Sequence, residues 1–249
     1  SGDGYYDQTS GSLTVSESTL SDNSLGFYVY GAGTSQHSVV FSSSTITGSR
    51  GVGMLLQQVN ASLTANSFSG NAQGGLGLHS VTGSVSANTF AGNNASSGSG
   101  LYVSQGTPTI ANNLILGNFA TGQGGGLRWS STAAAGIIAN NTFVDNYAVQ
   151  GGSAMFVENG SPVVANNIVA FNFSGILNTG GSPDLRQNDV FGNERYDYSG
   201  LSAGETDITV DPLFADAGSG DYHLLPLSLC VNGGDNTVVQ DGLTDIDVE

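Results

Sequence analysis

The 249-residue chain contains no lysine, one cysteine, one tryptophan and five prolines. Its cationic side chains are Arg50, Arg128, Arg186 and Arg195, against 20 acidic ones, for a net charge of −16. Nucleic-acid binders neutralise phosphates with clustered Lys and Arg, so the composition argues against that class. Attraction to anionic lipid needs a polybasic segment, which is also missing. No apolar run approaches the ~20 residues of a spanning helix, so direct membrane insertion is not expected. Cys230 alone allows no disulfide framework and no cysteine-based zinc site. The chain starts at Ser1 without Met or a signal-peptide pattern, and is expected to be a mature piece or fragment of something longer.

What is abundant is glycine, with 38 residues, and asparagine, with 22. Such a composition suggests disorder unless the apolar residues are periodic. They are. A unit Asn-x-Phe-x-x-Asn recurs at Asn66–Asn71, Asn88–Asn93 and Asn141–Asn146. Copies with another apolar residue in place of Phe lie at Asn113–Asn118, Asn167–Asn172 and Asn188–Asn193, and degenerate ones at Ser18–Asn23 and Ser44–Ser49. Successive starts are 21 to 28 residues apart. A variable period in the twenties marks stacked coils with loops of differing length.

Within each repeat the apolar residues alternate with period two, as in strands. One column reads Val15, Phe41, Leu63, Val85, Ile110, Ile138, Val164, Leu185. The next reads Leu20, Ile46, Phe68, Phe90, Ile115, Phe143, Val169, Val190. A third strand follows a Gly-rich stretch, as at Leu76/Leu78 and Leu127/Trp129. The expected fold is all-β: a right-handed parallel β-helix of about eight coils with three short strands per coil. At ~4.8 Å per strand spacing the rod would be on the order of 40 Å long. Asn and Gly are expected at the corners, where left-handed backbone angles are needed, and the Asn side chains to form amide ladders. Residues 1–193 should form the coils. Residues 194–249 should form an irregular acidic cap of the same domain, since 14 of the 20 acids lie from Asp184 onward.

These repeats resemble the right-handed β-helices of the pectin-lyase-like superfamily. The pairing of Phe-x-x-Asn (Phe68–Asn71, Phe90–Asn93, Phe143–Asn146) with Gly-Gly stretches (Gly74-Gly75, Gly125-Gly126, Gly151-Gly152) is similar to polymorphic outer membrane protein repeats, which occur in adhesins. The tail, with Asp211-Pro212-Leu213-Phe214, Asp221-Tyr222-His223-Leu224 and Asp245-Ile246-Asp247, resembles the closing segment of secreted β-helix proteins, although Leu229 stands where a Pro is common. In that group the segment precedes a surface anchor. The resemblance implies an extracellular location or a bacterial outer cell surface.

Outward positions of the third strand form two columns. One reads Tyr28, Leu55, Gly77, Tyr102, Arg128, Phe156, Leu177; the other reads Tyr30, Gln57, His79, Ser104, Ser130, Glu158, Thr179. Aromatics and Arg carry binding energy at interfaces, and flat rings suit sugars. The expected role is therefore non-catalytic adhesion or recognition of a glycan or surface protein, through Tyr28, Tyr30, Tyr102, Arg128 and Phe156. The alternatives are a carbohydrate-active enzyme using Arg128, His79 and Glu158 on the same face, or a purely structural spacer rod. The polygalacturonase elements Asn-Thr-Asp, Asp-Asp, Gly-His-Gly and Arg-Ile-Lys are absent from the sequence. No metal ligands are assigned. Calcium is the one cofactor left open, because the tail carries Asp207, Asp211, Asp216, Asp221, Asp235, Asp241, Asp245 and Asp247, though in no EF-hand or nonapeptide pattern.

Overall fold

The structure is a computed structural model and describes residues 6–7, 11–31, 37–133 and 136–238. Each coil contributes one strand to each of three parallel sheets. Among the described residues sheet I has eight strands, from Ser12–Ser16 to Asp184–Arg186, and sheet II has eight, from Thr19–Ser21 to Asp189–Phe191. Sheet III has nine, from Tyr6–Asp7 to Tyr198–Ser199. Its last rung therefore lies past residue 193. Pairing is in register from coil to coil: Val85 opposes Ile110, Phe90 opposes Ile115, and Leu101 opposes Leu127. The molecule is a right-handed parallel β-helix of about seven turns. Three coils add a further short parallel sheet of Asn94–Ala95, Phe119–Ala120 and Tyr147–Ala148.

Alternation sets the interior. Phe41, Leu63, Val85, Ile110, Ile138 and Val164 of sheet I are fully buried, as are Ile46, Phe68, Phe90, Ile115, Phe143, Val169 and Val190 of sheet II. Stacking follows the rung spacing: the Phe68 and Phe90 rings are parallel, with centroids 4.8 Å apart. At the ends, Val15, Leu20 and Leu185 are only partly buried against this core.

The corners differ from expectation in one respect. The ladder asparagines do not hold the left-handed angle; the residue just before each one does. Between sheets I and II that residue is Ala65, Ala87, Asn112, Asn140 or Asn166, with φ of 53–56°. After sheet II it is Gly70, Gly92, Gly117, Asp145 or Phe171, with φ of 55–61°. The next residue, now turned inward, is the ladder Asn.

The tail packs onto the sheet II side. Ile208 makes a parallel bridge to Asp189, and Phe214–Asp216 pairs antiparallel with Asp221–Leu224. Asn166 clamps it, its Oδ1 accepting from the Asp235 N–H at 2.7 Å and its Nδ2 donating to the Asp235 carbonyl at 3.2 Å. Among the described residues no helix is long and apolar enough to cross a membrane.

Candidate functional site

The outward column of sheet III follows the expected order, Tyr28, Leu55, Gly77, Tyr102, Arg128, Phe156 and Leu177 opposing one another rung by rung. Strand geometry then fixes which side chains meet. The Arg128 guanidinium lies 5.3 Å from the Tyr102 ring centroid and 5.6 Å from that of Phe156. Its Nη2 donates to Glu158 Oε2 at 2.7 Å and its Nη1 to Ser97 Oγ at 3.0 Å. A cation held between two rings and a carboxylate is rigid and largely neutralised. Tyr102 is fixed in turn: Ser130 Oγ donates to its hydroxyl at 3.3 Å, and His79 meets its ring edge-on at 5.7 Å. His79 Nδ1 and Ser104 Oγ are 2.8 Å apart, and burial lowers the imidazole pKa, which favours the neutral ring.

Five of the expected residues therefore meet: His79, Tyr102, Arg128, Phe156 and Glu158. Phe156 is 3% exposed, so its ring supports Arg128 from below and offers no face to a ligand. This corrects its expected place among the binding residues. Tyr28 and Tyr30 are half-buried and stand three rungs from Tyr102, roughly 14 Å away along the rod. Tyr28 donates its hydroxyl to Gln57 Oε1 at 3.3 Å.

For catalysis the described residues of the face provide one carboxylate, Glu158, already paired with their one guanidinium. Glycosidases use two carboxylates about 5–10 Å apart. A lyase base would have to come from Arg128, which Tyr102, Phe156, Glu158 and Ser97 all engage, or from His79, whose Nδ1 is paired with Ser104 Oγ and whose ring packs against Tyr102.

Under the tail lies a cavity of about 470 Å³, lined among others by Asn140, Gln187, Tyr222, Cys230 and Asn232. At its edge the Cys230 thiol donates to Asp189 Oδ2 at 3.2 Å, while Val210 N–H donates to Asp189 Oδ1 at 3.0 Å. Burial raises the Asp189 carboxyl above its ordinary value and pushes the Cys230 thiol up to about 12. Such a thiol is a poor nucleophile at neutral pH. The tail aspartates serve locally: Asp211 accepts from Leu213 N–H, Asp216 from Ser219 Oγ, and Asp235 from Thr237. Among the described residues no group of three or more His, Cys, Asp or Glu is placed to hold a metal ion. Asp241, Asp245 and Asp247 lie outside the described residues.

One surface column escaped the sequence reading. The residue after the second ladder Asn reads Asn94, Phe119, Tyr147, Phe173 in successive coils. Phe119 and Tyr147 stack at 5.4 Å, and Tyr147 and Phe173 at 4.4 Å. The signal was the position itself, one past a motif read only for its asparagines.

In-register coils, amide-laced corners and one decorated strand face define a parallel β-helix repeat protein. Residues 3–122 and 33–194 match the family model described as a right handed beta helix region, and the chain belongs to that family. No curated protein and no solved structure shows a significant match.

Proposed function

We propose that this β-helix is a non-catalytic recognition module, acting outside the cell or at a bacterial outer surface, whose sheet III face binds a glycan. The observation that carries this reading is the packed assembly of Tyr102 over Arg128, pinned by Glu158 and Ser97. Preordered aromatic and guanidinium groups lose little freedom on binding, which is where affinity is usually forfeited. The same pinning speaks against the enzyme alternative. A spacer rod would need no such face.

A glycan array probed with the chain identifies the ligand. Tyr102→Ala should then weaken binding to the best glycan by at least about tenfold, and adding Tyr28→Ala should weaken it further. Undiminished binding in the double variant would place the site elsewhere. Turnover of a polyuronate that vanishes in Arg128→Ala would replace recognition with catalysis.

A further inference from the structure

A second surface differs from the rest of the rod. Two rows of side chains flank the second Asn ladder. One row is Phe119, Tyr147, Phe173 and Glu194, each following a ladder Asn; the other is Asp145, Phe171 and Gly192, each preceding one. Between the rows runs an open cleft of about 300 Å³, lined by Asp145, Tyr147, Phe171, Phe173, Gly192 and Glu194. Phe119, Tyr147 and Phe171 are 39%, 38% and 39% exposed, among the most exposed large apolar side chains of the coils.

Phe171 breaks a local rule. It holds φ of 58° at a corner position where Gly70, Gly92, Gly117 and Gly192 stand in other coils. A bulky residue in that region is strained, and such strain marks positions kept for another reason. Packing explains part of it, since the ring meets Phe191 and Phe214 edge-on at 5.8 and 6.2 Å. The exposed remainder faces the cleft.

Charge selects the occupant. Asp145 and Glu194 stand among the rings, and neither is ion-paired among the described residues, the adjacent Arg195 included. Aromatic rings attract cations through their quadrupoles, and carboxylates beside them reinforce this. A net charge of −16 concentrates cations near the surface and opposes a second copy of the chain. We infer that the cleft is a docking site for a cationic side chain, lysine or arginine, presented by a partner polypeptide. The inference is independent of the sheet III reading, because the two share no residue.

The test uses acetyl-Gly-Arg-Gly-amide and its citrulline counterpart, which keeps the planar shape but has a carbonyl oxygen in place of one NH2 group and lacks the charge. Binding to the whole chain is followed through the aromatic carbon signals of Tyr147 and the exposed phenylalanines. The arginine peptide should shift these signals, and the citrulline peptide should bind roughly tenfold more weakly. Asp145→Asn with Glu194→Gln should weaken arginine binding about tenfold without unfolding the corner, because Asn holds the same backbone angle at Asn140 and Asn166. Tyr102→Ala should change nothing. Equal binding of both peptides would overturn the inference. So would an arginine peptide that leaves the rings unshifted at about 10 mM, or arginine binding unchanged in the double variant.

Discussion

From Asn88 and Asn93 onward each ladder asparagine is saturated. Asn118 Oδ1 accepts from the Asn93 N–H and Nδ2, both at 3.0 Å, and its Nδ2 donates to the Phe90 carbonyl and to Asn146 Oδ1, both at 2.9 Å. An amide can bury itself only by meeting every donor and acceptor, and stacked coils supply all four partners. This is why the asparagines were legible in sequence and the preceding corner residues were not. In the central coils the ladder position holds an amide every time, with Ser44 and Ser49 replacing it only near the N-terminal end, whereas the left-handed position accepts Ala, Asn, Asp, Gly or even Phe. Asp189 is the opposite case, a carboxyl whose burial works against its charge. Its raised pKa means the folded chain holds the proton more tightly than the unfolded chain does. The penalty is absent below the unfolded value and accumulates as pH rises through the folded one. Asp189→Asn keeps an acceptor for the Val210 N–H and removes the charge. Thermal melts should find the variant more stable than the parent at pH 7, with the gap closing as pH falls towards 4 and below. A gap constant across that range would mean that ionisation of Asp189 carries no cost.

At the scale of elements, glycines separate into two kinds that sequence alone does not distinguish. Gly70 sits at a left-handed corner with φ of 61° and nothing within 4 Å of where a Cβ would stand. Gly75 leads into sheet III, and a Cβ there would come within 2.7 Å of the Gly100 carbonyl oxygen and 3.1 Å of Asn93 Nδ2. Both read as corner glycines from composition, yet only the second is a packing position. Gly70→Ala should cost about 1 kcal/mol, the price of the backbone angle that Ala65 and Ala87 already bear. Gly75→Ala should cost about 3 kcal/mol or more, because backbone and a ladder amide must move. Urea melts of the two variants decide this, and equal losses would refute the distinction. The three strands per coil were readable because every inward position demands an apolar side chain at period two. The sheet III face was readable as a column but not as a site: burial of Phe156 and pairing of Arg128 with Glu158 depend on neighbours that only the rung register brings together. The aromatic cleft was hidden because its two rows straddle a motif that already had a structural explanation.

Across the whole molecule the ladders have a direction. Every ladder amide donates Nδ2 towards the C-terminal end, so their dipoles add, and each row ends on a carboxylate. Asn193 donates to Asp197 Oδ1 at 2.7 Å, and Asn188 to Asp207 Oδ1 at 3.0 Å. A carboxylate suits the donor end of aligned dipoles as it suits a helix N-terminus. Asp207 does more, accepting at its other oxygen from the Tyr198 hydroxyl and the Gly204 N–H, both at 2.8 Å. It thereby joins ladder, last rung and tail. In a solenoid each coil contacts only its neighbours, so loss of a cap should loosen the rod from that end inward. Asp207→Ala should therefore speed amide hydrogen exchange most in Asp189–Phe191, less in Ile168–Ala170, and not at all in Phe27–Tyr30. Exchange that rises equally in all three strands would show that the rod opens as one cooperative unit, and that the carboxylate at its end is no more than a local hydrogen-bond partner.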